Sequence, residues 1–247
     1  GSRGMTKGSP PAEWILYRTT PPLAWITLNR PEKKNALAGS MREDLLARIL
    51  EAGADPEIRC LVLTGAGGAF CSGRDITVMA GLKQQEAGFD EIARWLDAGG
   101  RTVAALATFP KPTLASIEGV AAGAGCNLAL ACDFRIASET ASLGETFCRV
   151  GLHPDWGGTY FLPRLVGPAK ALELFTTGEM VPASEALRIG MVQRVVPPDK
   201  LEEETLAFAR RLCSAPPLSF LSAREAVRRS ASASLSAMLL FERHAQL

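Results

Sequence analysis

The chain of 247 residues is 47% hydrophobic and carries 27 basic against 26 acidic residues, enough apolar content to bury a large core as one domain. Without a clustered cationic excess there is no general electrostatic reason to expect nucleic acid or an anionic membrane as a partner. Six cysteines at irregular spacings, no CxxC pair and only two histidines, His153 and His244, point to reduced, buried thiols and away from a metal site.

No charged n-region followed by an apolar h-region opens the chain, and no apolar run approaches the ~20 residues that span a bilayer, so a cytoplasmic location is expected. Gly1 to Gly4 ahead of Met5 read as a cloning remnant, and residues 1–12 as a tag with a disordered N-terminus. Trp14 to Arg18 and Leu23 to Asn29 are short runs rich in aromatic and β-branched residues, separated by Thr19-Thr20-Pro21-Pro22; they predict an antiparallel hairpin. Met41 to Ala52 places Leu45, Leu46, Ile49 and Leu50 on one helical face, and the apolar strand Cys60 to Thr64 follows, which implies a parallel pairing. Phe89 to Phe109 reads as an amphipathic helix stopped at Pro110-Lys-Pro112, Thr113 to Ile117 as a buried strand, and Ala124 to Ala131 as a helix apolar on every side. Phe134 to Ala137 returns as a strand. Beyond Gly157-Gly158 the pattern is helical apart from Gln193 to Val196, with a helix start near Ser184. The organisation predicted is a β/α core over residues 13–190 and a helical region over 191–247, which packs either on a neighbour or back on its own domain.

Three segments carry the chemistry. Ile117 to Asp133 runs from a buried strand through a Gly/Ala stretch into a buried helix, whose first free N–H groups and dipole suit developing negative charge. Tight strand–helix packing uses the same small residues. Gly123-Ala-Gly125 lacks the third glycine of a dinucleotide fingerprint. A second small-residue loop, Gly67 to Ile76, follows another strand and offers a second backbone donor. Leu28 to Leu37 places three cations around a turn, either a phosphate contact or a solvated turn.

In this order LNRPEKKNAL, GGAFCSGRDI, GVAAGAGCNLALACD and VGLHPDWGGTYFLPRLVG resemble the crotonase (enoyl-CoA hydratase/isomerase) superfamily over nearly the whole chain. The resemblance implies an α/β fold with a ββα spiral core, a helical trimerisation region giving a homotrimer or dimer of trimers, and an acyl-CoA thioester substrate. Coenzyme A is then part of the substrate, with no separate cofactor. By position the thioester oxygen sits between the backbone N–H groups of Arg74 and Ala124. Lys34, Asn35, Ala36 and Leu37 match the stretch lining coenzyme A, and Ser72, Asp75 and Ile76 the adenine pocket, with Gly73, Gly123, Asn127 and Phe147 as further substrate-binding positions. The variable stretch from Thr77 to Phe89 is expected to help form the acyl pocket, and the chain ends at Leu247, earlier than members of the family typically do.

Departures from the pattern bear on the reaction. Hydratases of the family use two glutamates where this chain has Asn127 and Phe147, neither of which can act as a general base. Asp155, in His153-Pro-Asp-Trp-Gly-Gly158, stands where some isomerases of the family, including 1,2-epoxyphenylacetyl-CoA isomerase-like members, keep their acid/base. Trp156 and Phe147 beside it would raise its pKa. Asp155 also reads as a cap for a helix starting near Thr159. Glu145 is a substitute carboxylate if its loop is shifted and a surface residue otherwise. Glu118 reads as structural, His153 as a hydrogen-bonded packing residue, and Cys126 and Cys148 as small hydrophobes. The leading expectation is an enoyl-CoA isomerase using Asp155. A hydratase, hydrolase or lyase using Asp155 or Glu145 with water, and a non-catalytic acyl-CoA-binding scaffold, are the alternatives.

Overall fold

The computed structural model describes residues 13–75 and 89–247. Ile76 and residues 77–88 of the expected acyl-pocket stretch, together with residues 1–12, lie outside the described residues. The hairpin forms as expected: β1 (Ile15–Thr20) and β2 (Leu23–Leu28) pair antiparallel, with Ile15 opposite Leu28 and Thr20 opposite Leu23. α1 (Met41–Ala54) returns the chain so that β3 (Cys60–Gly65) lies parallel to β2. α2 (Phe89–Ala107) leads to β4 (Thr113–Ile117), and the sheet is completed by β6 (Phe134–Ser138) and β9 (Arg194–Val196), all parallel, in the order β1-β2-β3-β4-β6-β9.

Period-two alternation explains why these strands read as continuous apolar runs, as expected of parallel strands covered on both faces. Ala24, Ile26, Leu61, Leu63, Ala115 and Ile117 point into the main core. Their neighbours Leu23, Cys60, Val62 and Leu114 point the other way, onto Leu201, Phe208 and Ala209 of α7 (Leu201–Cys213).

Three strands went unread in the sequence. β5 (Val120–Ala122), β7 (Ser142–Gly144) and β8 (Met180–Pro182) form a second sheet in the order β5-β7-β8. Each spans three residues, too few to show an alternation. The stretch between β4 and the buried helix α3 (Ala124–Ala131) therefore contains a strand and is not only a loop. All eight residues of α3 are buried, as its unbroken apolar character requires.

After α4 (Gly158–Val166), α5 (Pro168–Thr177) and α6 (Ala183–Ile189), which begins one residue before Ser184, α7 leads into α8 (Pro217–Ser230) and α9 (Leu235–Gln246). Part of this tail is anchored on its own domain. Arg224 pairs with Asp133 at 3.2 Å and donates to the Phe109 carbonyl at 2.6 Å, and Arg228 reaches the same carboxylate at 3.5 Å. Burial raises the pKa of Asp133, which the two guanidiniums oppose. Leu218, Val227, Leu235, Leu239 and Leu240 of α8 and α9 remain exposed.

Gly125 shows how tightly the core is drawn. A Cβ there would overlap the Cys71 carbonyl oxygen and lie 2.7 Å from the Cys71 side chain, so α3 touches the 70–75 loop backbone to backbone. Gly125→Ala is expected to cost about 1–3 kcal/mol of unfolding free energy through overpacking, read by urea denaturation. An unchanged midpoint would show that the contact is looser than described.

Candidate active site

Three backbone segments lie side by side at the C-terminal ends of β2, β3 and β5. Leading off β2, residues 31–33 make a 3-10 turn, after which Lys34 (φ 49°) and Asn35 (φ 57°) both take the left-handed conformation, which asparagine tolerates better than most residues. The Asn35 side chain is fully buried and accounts for itself: Oδ1 accepts from Arg30 N at 2.8 Å, while Nδ2 donates to the carbonyls of Ala66 (2.9 Å) and Ala69 (2.8 Å). It shapes the stretch and does not project from it. Ala36 and Leu37 are buried as well.

The second segment is stitched to the first and third. Ser72 N donates to Lys34 O (2.9 Å), Leu37 N to Gly73 O (2.7 Å) and Asp75 N to Leu37 O (3.2 Å). On its other side Cys71 N donates to Val120 O (3.0 Å) and Ala122 N to Cys71 O (2.9 Å). Asp75, buried, receives Arg30 Nη1 at 2.8 Å. Gly73 (φ 96°) is required here, because a Cβ would lie 2.7 Å from the Ala122 carbonyl oxygen and 3.7 Å from Ala124 N. The third segment turns at Gly123 (φ 54°), whose N–H donates to Gly144 O at 2.8 Å, directly into the first turn of α3. Among the described residues, neither Arg74 N nor Ala124 N is engaged by a backbone carbonyl.

Both residues line a cavity of about 290 Å³, and they share it with Ser72, Gly73, Gly123, Phe147, Leu152 and Asp155. The structure thus brings seven sequence-predicted residues to one hollow, and Asp155 is the acid that lines it. Its carboxylate does not cap α4: Gly157 holds the N-cap position and no side chain caps that helix. Instead Oδ2 accepts from Arg74 Nη2 at 3.3 Å, and Oδ1 is buried without a side-chain hydrogen-bond partner among the described residues. Burial raises the Asp155 pKa, opposed by Arg74. The backbone beyond it is held in a costly form at Trp156, a bulky residue at φ 54°, while Gly157 takes φ 78° without that cost. It is kept there from two sides. Gly99 on α2 leaves room for the Trp156 ring, since a Cβ would come within 2.5 Å of Nε1, and Gly158 packs on the Asn127 amide.

Asn127 and Glu145 sit behind the cavity. Asn127 is fully buried and its Nδ2 donates to the Asp155 main-chain oxygen at 2.8 Å, with Glu145 Oε2 at 3.3 Å. Glu145 is 1% exposed, which overturns the expectation of a surface residue: β7 runs inward into this position, a strand too short to be read from the sequence. Burial raises its pKa to about 8, with Asp155 adding to the rise and Asn127 opposing it. His153, expected to pack, is exposed, because the loop before Asp155 faces outward. Cys126 is buried, as expected of a small hydrophobe, and Cys148 is half-buried.

The sequence pattern assigns a role only to the backbone of Arg74. Its side chain lines the cavity, with Cζ 3.2 Å from the Trp95 ring centroid, and Arg42 lies 4.0 Å from the same ring. A long cation inside a run of small residues was the available signal. Among the described residues no group of three or more His, Cys, Asp or Glu is placed to hold a metal, and no helix is long and apolar enough to cross a membrane.

Glu145 gives a pH signature. The folded state keeps its proton up to about pH 8, whereas the unfolded chain releases it near the ordinary glutamate value of 4.5. The native state therefore binds more protons between those values, and stability falls as pH rises from about 4.5 to about 8. Glu145→Gln is expected to remove this part of the slope and to be more stable than the parent above pH 8 by on the order of a few kcal/mol. Parallel stability–pH curves for the two proteins would refute a neutral, buried Glu145.

The model of the enoyl-CoA hydratase/isomerase family matches residues 19–246. A "Probable enoyl-CoA hydratase" of Rhizobium meliloti (strain 1021) is 40% identical over 232 residues, covering 94% of this chain and 87% of that one. The 1,2-epoxyphenylacetyl-CoA isomerase of Escherichia coli (strain K12) is 34% identical over 241 residues, covering 95% and 89%. Among solved structures, an enoyl-CoA hydratase from Bacillus anthracis superposes with a TM-score of 0.87 at 35% identity, covering 95% of this chain and 90% of that one. With the family match spanning nearly the whole sequence and the spiral fold shared, this chain belongs to the enoyl-CoA hydratase/isomerase family, the crotonase superfamily.

Proposed function

We propose that the chain is an acyl-CoA isomerase that moves a double bond, or opens and rearranges a strained ring, through a thioester enolate. The observation that carries this reading is that Asp155 is the acid lining the cavity that also holds the Arg74 and Ala124 amides. In the proposed reaction the thioester oxygen accepts both N–H groups, which stabilise it most when it becomes the enolate oxygen. Asp155 takes a proton from C2 of a 3-enoyl thioester, leaving a dienolate, and returns it at C4. No water is consumed, so one carboxylate suffices. The partly desolvated carboxylate, its pKa raised by burial, suits a group that must both take and return the proton.

Asn127 and Phe147 stand where two-carboxylate hydration needs its acid/base pair, which weighs against water addition. The second reading, a hydratase, is favoured by the hydratase name borne by the more identical relative and by buried Glu145 behind Asn127, which would have to reach water through a rearranged loop. The exposed apolar residues of α8 and α9 support assembly as a homotrimer or dimer of trimers, and the near-neutral charge supports a substrate met in solution in the cytoplasm.

Incubation with 3-enoyl-CoA and 2-enoyl-CoA thioesters tests the reading. Double-bond migration without a hydroxyacyl product is expected. Water addition with no migration would overturn it. Asp155→Asn is expected to lower kcat about a hundredfold or more while leaving KM within a few-fold. In the parent, kcat/KM should rise with pH through a value above the ordinary aspartate range. Turnover of every active thioester at the parental rate by Asp155→Asn would remove Asp155 from the chemistry.

A further inference from the structure

A second cavity, of about 580 Å³, is lined from both α4 and α8 and shares no lining residue with the catalytic hollow. It lies at the C-terminal end of α3, where Leu130, Ala131 and Cys132 form part of its wall, whereas Ala124 at the other end of that helix lines the hollow. Its volume falls within the roughly 300–1,000 Å³ of small-molecule sites, which combine an apolar lining with a few polar groups. Phe134, Phe161, Leu165 and Phe220 supply the apolar part. The charged part is one-sided: Arg135, Arg164, Arg224 and Arg228 line the cavity against the carboxylate of Asp133.

Two of these cations are committed to the fold. Arg224 and Arg228 both reach Asp133, and each donates to a main-chain carbonyl, of Phe109 and Ala107 respectively. The other two are not fully used. Arg135 is 2% exposed; its Nε donates to Met191 O and its Nη1 to Cys132 O, both at 2.6 Å. Those bonds tie the end of α3 to residue 191 and offset the negative end of the helix dipole. They leave Nη2 without a hydrogen bond among the described residues, on a side chain that lines the cavity. Arg164 is exposed, stacks on the Tyr160 ring at 3.7 Å, and donates to the Tyr160 carbonyl, with no ion pair among the described residues. Tying the main chain together accounts for Nε and Nη1 of Arg135, but neither for Nη2 nor for Arg164. A buried guanidinium donor left unpaired is costly, and an anion that carries its own apolar surface satisfies the donor and fills the hollow together.

We propose that this cavity is a binding site for a free monocarboxylate with an apolar chain, its carboxylate received by the free edge of Arg135 with Arg164 adding charge, and its chain laid along Phe134, Phe161, Leu165 and Phe220. The site is separate from the reaction in the catalytic hollow and does not rest on the isomerase reading.

Calorimetric titration of the full chain with octanoate and octanamide, which share a hydrocarbon body and differ in charge, tests this. Octanoate is expected to bind about tenfold or more tightly than octanamide. Arg164→Gln, at an exposed residue outside the catalytic hollow, is expected to weaken octanoate about three- to tenfold and to leave octanamide unchanged, which locates the binding at this cavity. Arg135→Gln is expected to bring the two probes within a few-fold of each other. Equal affinities in the parent, no octanoate binding up to millimolar concentration, or an octanoate preference unchanged both in Arg164→Gln and in a folded Arg135→Gln would overturn the proposal. Should Arg135→Gln fail to fold, an unchanged preference in Arg164→Gln alone overturns it.

Discussion

The arrangement depends on one strip of backbone: residues 70–75, held by main-chain hydrogen bonds between the 34–37 stretch and the start of β5. The neighbours take up the amides of Phe70, Cys71, Ser72 and Asp75, and among the described residues neither Arg74 N nor Ala124 N donates to a backbone carbonyl. Close approach is the condition for this. Gly73 and Gly125 sit where any side chain would meet backbone atoms of the adjoining segment, so the two donors converge only because those positions carry no Cβ. Buried Asn35 supplies the complementary support by tying Arg30, Ala66 and Ala69 to one side chain.

Around this rigid frame the charges are arranged by burial. Asp155 and Glu145 are both pushed toward the neutral form by loss of water, but with different partners. Asp155 faces the cavity and an arginine, which keeps its anion accessible. Glu145 is kept protonated by burial and by the nearby Asp155 carboxylate, against the opposing hydrogen bond from the Asn127 amide. Two carboxyls a few residues apart in space thus differ in state for a physical reason, the pattern that lets one act as base while the other serves as a neutral packing group. The strained Trp156 conformation, pinned by Gly99 and Gly158, holds the Asp155 main chain where Asn127 reaches it.

Much of this was legible in the sequence. The hairpin, the parallel β/α units and the wholly buried α3 followed from runs long enough to show their period, and the small-residue loops marked the two donor positions. What escaped notice had too little local signal. β5, β7 and β8 are three residues each, and β7 carries Glu145 inward, so a missed strand became a misplaced carboxylate. His153 reads as a packing residue from its apolar neighbours, yet the turn into Asp155 faces it outward. The Arg74 side chain could not be placed from sequence, because its stacking partner Trp95 is distant in the chain.

The central claim, that two backbone amides on glycine-dependent loops receive the thioester oxygen, is tested most directly by a crystal structure with a bound acyl-CoA. The account predicts that oxygen about 2.7–3.1 Å from both Arg74 N and Ala124 N, with the Asp155 carboxylate facing the reacting carbons. A thioester oxygen bound elsewhere, with either amide left to solvent, would contradict it.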